Sequence, residues 1–427
     1  MGITGHKRSS PEEKTDFSDT ETGVLLKYYY AQLFPFNQMF RWLSYNDPKE
    51  FAKREFSFTI QEDVYLRYKS FRTEEEFASA VKDYSPNKID IGAVFSAPPR
   101  DHAAIEPSAF QPRHKEFVVD IDVSDYADIW ALGRQSDEDG GGALTRAEWP
   151  LMVASVKTLQ TLLSECFGFH NIMWVYSGRR GVHGWVSDHE ARIMPNDARS
   201  AVADFLQVYS GNERTAKKVT LGRRPHPAFR RVYTEILEPL FLEMAEDQEW
   251  FQRPAGIQYI LSLADDHVLA QEIERQWLAQ PTIDKWKLLK LVCKTEKNDT
   301  FPMEVVFTFV YPRLDIHVSK GLNHLLKSPF SVHPKTGRVC VPVLVENVDI
   351  FDPTTVPLVS ELVAELDQLS GEESQVSGSK AHLTSLRGAV DTFERFVQRL
   401  EAEQHSQRLQ EKQSRREEKE VAEWTSM

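Results

Sequence analysis

The sequence predicts an α/β fold: a mixed sheet layered with helices, interrupted by an inserted helical subdomain and closed by a helical C-terminal tail. Three observations predict it. Between residues 54 and 176, short alternating or β-branched runs recur with helical patterns between them, which indicates a layered α/β body rather than a bundle. Between 190 and 300 the strand signals fade and apolar residues fall at helical spacing. Beyond Val356 the pattern is helical again. The expected organisation is a disordered start at 1–20, an α/β body at 21–189 and 301–360, a mostly helical insert at 190–300, and a helical or partly disordered tail at 361–427.

Each element has its own justification. Residues 1–20 are polar and charged, with no apolar periodicity. Leu25, Leu26, Tyr28, Tyr29 and Leu33 then lie at helical spacing, and Pro35 ends that helix. A second short helix is expected at 36–43. Residues 54–60 alternate, with Phe56, Phe58 and Ile60 on one face and Glu55, Ser57 and Thr59 on the other. Strands are expected at 64–71, carrying Arg67, and at 89–95, carrying Asp90, with a helix at 74–84 between them. Residues 133–145 include Gly140-Gly141-Gly142 and read as a flexible loop. Met152, Val156, Leu159, Leu163 and Phe167 mark an amphipathic helix at 149–167. A strand follows at 171–176. Helices are expected at 198–209, 233–246 and 284–293, and strands at 303–310, 314–318 and 338–345. The tail is broken at 370–380 and ends in a mixed-charge segment at 401–420.

Bulk composition narrows the function. The chain has 427 residues, enough for one large or two to three ordinary domains, and 41% hydrophobic content, enough for a core. Its net charge of −13, from 64 acids and 51 bases, argues against coating nucleic acid or a membrane by bulk charge, but leaves room for a local basic groove. The three cysteines, Cys166, Cys293 and Cys340, are too few and too far apart for a disulfide framework or a zinc knuckle. The polar N-terminus is no signal peptide, and His6 breaks the myristoylation pattern after Gly2. No apolar run reaches membrane length. A soluble intracellular protein with no membrane partner is expected.

The chemistry centres on Phe117-Val118-Val119-Asp120-Ile121-Asp122-Val123. As a strand it places Val118, Asp120 and Asp122 on one face, with the two carboxylates about 6–7 Å apart by strand rise. Two such acids are either solvated on an exposed edge or share a positive partner, for which Mg²⁺ or Mn²⁺ suits hard oxygen ligands. Ser177-Gly178-Arg179-Arg180-Gly181-Val182-His183 reads as a glycine-bounded hairpin turn, either a plain basic turn or one built to grip a triphosphate. In Arg313-Leu314-Asp315-Ile316-His317, Asp315 lies opposite an apolar face and gains meaning as a third carboxylate. Residues 323–338 are dense in donors, among them His324, Lys327 and His333, a pattern suited to phosphate contact. Carboxylates beside a basic pocket fit two-metal nucleotidyl transfer.

These stretches, with Arg54-Glu55-Phe56-Ser57-Phe58-Thr59 and Lys88-Ile89-Asp90-Ile91-Gly92-Ala93-Val94, resemble the small, catalytic subunit of eukaryotic and archaeal DNA primase, in the family's order over roughly residues 20–360. The resemblance implies the primase fold. It implies that Asp120, Asp122 and Asp315 bind catalytic Mg²⁺ or Mn²⁺, with Glu55 and Arg67 in the active site. It implies that Ser177, Arg179, Arg180, His183, His324, Lys327 and His333 contact nucleotide phosphates, and that Asp90 reaches the ribose. Implied partners are a large iron–sulfur subunit, the catalytic and accessory subunits of DNA polymerase α, a single-stranded DNA template and ribonucleoside triphosphates, in the nucleus.

The sequence departs from the family at its structural zinc motif. Asp125-Tyr126 and Trp149 are present, but residues 133–148 contain no cysteine and no histidine. No zinc is expected, which means either a lost site or an error in the gene model across that loop. Gly184 stands where cysteine is common in the family, a difference expected to be harmless. An active primase subunit that makes short RNA primers is the leading reading. A catalytically degenerate scaffold of the primase–polymerase complex, and a repair polymerase or nuclease using the same three carboxylates, are the competitors.

Overall fold

Short β-branched and aromatic runs build two sheets, and the groove between them is the main feature of the molecule. A computed structural model describes residues 19–60, 63–133, 144–210, 219–369 and 378–425. The expected loop at 133–145, the tail break at 370–380 and the disordered start fall largely outside these residues. The first helix reaches back to Asp19.

The first sheet holds β1 (Arg54–Ile60), β2 (Val64–Lys69), β3 (Lys88–Phe95) and β4 (Pro112–His114) in the order β2-β1-β3-β4. The second holds β5 (Phe117–Asp122), β6 (Ile172–Tyr176) and β7 (Gly181–Val186) in the order β5-β7-β6. Two short strands late in the chain tie the sheets together: β8 (Leu326–Lys327) pairs with β3, and β9 (Pro342–Val343) pairs with β6. Every strand pairing among the described residues is antiparallel, so the mixed sheet expected from sequence is replaced by two antiparallel ones.

The remaining chain is helical. Helix Trp149–Phe167 packs behind the second sheet and ends at Gly168 in the left-handed region (φ 69°). Between Asn196 and Val310 the described residues form helices, with one isolated bridge, Tyr209 to Val219. They pack around Phe241, Trp250, Trp286 and Phe309, and this packing is continuous with the sheet core. The last helix, Arg387–Thr425, settles the ambiguous end of the tail as helix over its described length. Phe393 meets Trp42 edge-on (5.7 Å), and Arg41 bonds to both Glu394 and Glu401.

Three expected strands are corrected. Residues 303–310 lie in helix Phe301–Val310, whose ten side chains are all buried. An apolar run buried all round carries no alternation, so its pattern cannot separate strand from helix. Residues 314–318 are a turn followed by the short helix Ile316–Lys320, capped by Asp315. Of 338–345 only β9 is a strand. Gly184 also proves necessary. An added Cβ would lie 2.7 Å from Val119 Cγ2 and 2.9 Å from Trp174 Cζ3, because the indole occupies the space a side chain would need.

The sheets are locked by a charged pair with no exposed surface. Arg54, at the start of β1, donates to both carboxylate oxygens of Glu116 (2.8 and 3.0 Å) and to the Gly92 carbonyl of β3 (3.0 Å). Glu116 directly precedes β5 and also accepts from the Tyr45 hydroxyl (2.5 Å). Burial pushes the Glu116 carboxyl up, but the Arg54 charge and hydrogen bonds, with that of Tyr45, bring it down to about 2. Glu116→Gln leaves the guanidinium buried without its counter-charge. It should cost about 3–5 kcal/mol of folding stability, read as a lower urea midpoint.

Candidate active site

The strand β5 carries the acidic pair. Asp120 lies opposite His183 and Asp122 opposite Gly181 in the β5–β7 ladder, and both carboxylates face the groove. The other edge of β5 is covered by the segment that brings Asp315. The Asp315 N–H donates to the Asp120 carbonyl (3.0 Å), and the Ser319 hydroxyl donates to the Val118 carbonyl (2.7 Å). Asp315 therefore reaches the pair from a helix start rather than a strand. Its Oδ1 accepts from the His317 N–H (3.2 Å). Arg313 fixes this turn from beneath, stacked on Tyr209 (3.9 Å) and paired with Asp128 (2.5 Å).

The carboxylates leave an unbalanced negative field. Burial, then Asp315 and Asp122, push the Asp120 carboxyl up to about 7, with Lys327 opposing. Asp122 Oδ1 accepts from the Ser124 N–H (2.8 Å) and hydroxyl (2.6 Å) and lies 3.5 Å from Arg180 Nε. Among the described residues no group of three or more His, Cys, Asp or Glu side chains is gathered at ion-binding spacing. The three acids share a field without converging on a point. Hard oxygen donors with a mutual charge excess fit Mg²⁺ or Mn²⁺ in chemistry. Zinc does not fit the other place where the family suggests a metal: the described flanks of the 134–143 loop hold no thiolate, and Cys166, Cys293 and Cys340 lie in other elements.

The facing wall is cationic. Gly178, at φ 80°, lets the β6–β7 hairpin turn tightly. The Gly181 N–H donates to Ser177 Oγ (3.0 Å), which fixes the turn that presents Arg179 and Arg180. Lys327 of β8 pairs with Asp90 of β3 and donates its amine to the Ser177 carbonyl (2.8 Å), so one residue joins both sheets across the groove. Burial and then Lys327 push the His183 imidazole down to about 3. Burial, Lys327 and Arg179 push His333 down to about 2. Both rings are neutral at physiological pH. His183 Nε2 lies 3.5 Å from Asp120 Oδ1, and the ring there carries no charge. Positive charge on this wall comes from the arginines and Lys327.

The first sheet supplies the remaining side. Glu55 of β1 is buried and bound by Arg67 through two bonds (3.0 and 3.2 Å). Arg67 reaches it because β2 bulges against β1 between Phe56 and Phe58, with Tyr68 in the left-handed region (φ 59°). Asp90 accepts from Ser57 Oγ (3.2 Å) and lies 3.1 Å from Lys88 Nζ.

One cavity of about 500 Å³ collects these groups. It is lined by eleven of the thirteen residues expected from sequence: Arg67, Asp90, Asp120, Asp122, Ser177, Arg179, Arg180, His183, His324, Lys327 and His333. Glu55 is bound by Arg67, and Asp315, exposed, lies beside Asp120 with its N–H on the Asp120 carbonyl. Sequence reasoning missed Tyr65 and Lys88, which also line it. Each lies two residues before a named one on the same strand, Arg67 and Asp90, so the period of two carried the signal. It also missed Lys115, whose buried amine donates to the His324 carbonyl.

An α/β groove with acids on one wall and fixed cations on the other is an anion-handling site of the kind that serves phosphate chemistry. A family model described as DNA primase small subunit matches residues 119–345. The chain is 34% identical to the DNA primase small subunit of Drosophila melanogaster, over 96% of this chain and 99% of that protein. It is 37% identical to that of Schizosaccharomyces pombe (83% and 80%) and 30% identical to that of Saccharomyces cerevisiae (88% and 91%). The chain belongs to the DNA primase small subunit family. That membership makes it an enzyme of nucleotidyltransferase type. Among the described residues no helix is long and apolar enough to cross a membrane.

Burial of Asp120 beside two other acids carries a cost. Its folded-state value of about 7 lies above the ordinary 3.8. Stability of the metal-free chain therefore falls as pH rises from about 4 to about 7, and the full cost is present above 7. Asp120→Asn should raise metal-free stability at pH 8 by about 1–2 kcal/mol, a figure reduced for its partly exposed side chain. Thermal unfolding in chelator checks this, with the gain shrinking toward pH 4.

Proposed function

We propose that this chain is the catalytic subunit of a DNA primase that synthesises short RNA primers de novo on single-stranded DNA, for replication initiation and lagging-strand synthesis. The observation that carries this reading is the single cavity in which eleven expected side chains meet, acids against cations. Two divalent cations, Mg²⁺ or Mn²⁺, held by Asp120, Asp122 and Asp315 would activate the attacking 3′-hydroxyl and offset charge on the leaving pyrophosphate.

The chain's own residues do the positioning. Arg179, Arg180 and Lys327 bind the triphosphate and hold it in line for attack, with bidentate geometry available from each guanidinium. The neutral imidazoles of His183 and His333 and the Ser177 hydroxyl add oriented hydrogen bonds without adding charge. His324 closes the same wall. Asp90, oriented by Ser57 and Lys88, accepts from ribose hydroxyls, which favours ribonucleotides. Glu55 acts through Arg67, fixing its guanidinium at the cavity rim.

The proposed setting is the nucleus, in a complex with a large iron–sulfur primase subunit and the catalytic and accessory subunits of DNA polymerase α. An acidic chain with one basic cavity suits shared grip on the template, because its bulk charge repels DNA while its site attracts triphosphate. The scaffold reading is disfavoured because every proposed catalytic position holds a competent side chain. The nuclease reading leaves a triphosphate-sized cationic wall unused.

Two measurements test the proposal. The purified chain with its large subunit should form dinucleotides from ribonucleoside triphosphates with Mn²⁺ or Mg²⁺, and Asp120→Ala should lower that rate at least ~10³-fold, in line with loss of a transition-state charge stabiliser. Retained activity in this variant would remove the metal role of Asp120, and no metal-dependent nucleotide binding by the wild type would favour the scaffold. Metal analysis of the purified chain should find no stoichiometric zinc; one bound zinc per chain would overturn this expectation.

A further inference from the structure

Lysine is rarely buried without a reason, because its ammonium loses its hydration and its long stem loses rotamer freedom. Lys115 is nonetheless fully buried (0% exposed). Its backbone is clamped on both sides: its N–H donates to the Arg192 carbonyl (3.1 Å), and its carbonyl accepts from the buried Arg199 guanidinium. The side chain is thereby aimed inward, and the amine donates to the carbonyl of His324, 209 positions away. Burial, then Arg199, push this amine down to about 7, with Arg54 acting in the same direction and Glu116 and Glu55 opposing. The fold holds it there at a cost.

The contact falls at a sensitive point. His324, Leu325, Leu326 and Lys327 all line the cavity. On one side this stretch is held at Leu322, whose N–H donates to Asn196 Oδ1 (3.3 Å). On the other it is held by β8, where Leu326 pairs with Ile91 and Lys327 with Asp90. The His324 carbonyl lies between those two anchors. The amine bond to this carbonyl, strengthened whenever the amine carries its proton, fixes the peptide plane next to the His324 side chain.

We propose that Lys115 is a positioning residue that fixes the 323–327 loop for nucleotide binding through the His324 carbonyl. The inference rests on the primase reading of the cavity and adds to it a residue that touches no substrate. Because Lys115 acts on the loop before nucleotide arrives, its loss weakens ground-state binding more than the chemical step.

The test uses the full-length chain, with the large subunit present in every arm. Lys115→Met keeps the stem and removes the donor; Lys115→Arg keeps a cationic donor. For Lys115→Met the KM for ribonucleoside triphosphate should rise about tenfold, with kcat within about threefold of wild type. Equilibrium binding of a triphosphate with an uncleavable α–β bond should weaken by the same factor, and thermal stability should not fall, because a desolvated polar amine has been replaced by an apolar group. Lys115→Arg should recover KM to within about threefold of wild type. An unchanged KM in Lys115→Met, or an equal fall in kcat and kcat/KM, overturns the inference and leaves the primase reading intact. Should Lys115→Met not fold, Lys115→Gln decides by the same KM criterion. A wild-type chain that takes no nucleotide overturns the functional reading and this inference with it.

Discussion

The site depends on where two sheets stand relative to one another, and the Arg54–Glu116 pair sets that. Each sheet carries half of the cavity: Tyr65, Arg67, Lys88 and Asp90 come from the first, and Asp120, Asp122 and the arginine hairpin from the second. Neither half is useful alone. An apolar seam of equal volume would join the sheets at lower desolvation cost. It would tolerate sliding, whereas two parallel N–H···O bonds between a planar guanidinium and a planar carboxylate admit one orientation. The further bonds from Arg54 to Gly92 and from Tyr45 to Glu116 extend that constraint to β3 and to the helix Phe36–Ser44 layer. The neighbouring residues complete the logic: Glu55 follows Arg54 into the site, and Lys115 precedes Glu116 toward the His324 loop.

A second crossing keeps the two walls at working distance. Between β8 and β9 the chain passes from one sheet to the other, and it carries Lys327 and His333 as it goes. Lys327 is electrostatically central: it partly offsets Asp120 and suppresses protonation of both His183 and His333. The cavity thus holds its two imidazoles neutral beside the arginines and Lys327. Near neutrality the groups most affected by pH are Asp120, on the carboxylate wall, and Lys115, behind the His324 loop. That wall is where the protein has given up stability, since Asp120 is buried and held next to two other acids.

Much of this was legible in the sequence because period-two signals survive wherever one strand face is polar and the other packed. Residues 54–60 and 117–123 were readable for that reason, and Tyr65 would have followed from the same rule. The pattern failed at helix Phe301–Val310, where burial on every side erases periodicity. It failed again at Asp315, whose flanking Leu314, Ile316 and Val318 mimic a strand although the carboxylate begins a helix. Its place beside Asp120 comes from backbone bonding to an open sheet edge, which residue spacing does not encode. Lys115 was illegible for a different reason: a lysine before a strand looks solvated until tertiary structure closes over it.

The cysteine-free loop tests whether the arginine hairpin needs help from a metal-bound neighbour. Its described flank answers from ordinary interactions. The Leu144 N–H donates to the Arg179 carbonyl (2.7 Å), so the chain leaving the loop bonds directly to the hairpin turn. Thr145 and Glu148 cap each other reciprocally, with the Glu148 carboxylate accepting from the Thr145 N–H and hydroxyl (both 2.9 Å) and the Thr145 hydroxyl accepting from the Glu148 N–H (3.3 Å). This starts the helix that follows at a defined place. Trp149 then packs on Tyr176 and Phe351 and donates its indole N–H to the Val348 carbonyl (2.9 Å). Tyr176 in turn donates its hydroxyl to the Arg179 carbonyl (3.1 Å). The Arg179 carbonyl therefore receives two donors, one from each side of the turn. Residues 144–149, next to the cysteine-free loop, are thus fixed by a cap, an aromatic cluster and one bond to the turn itself, without any metal ligand.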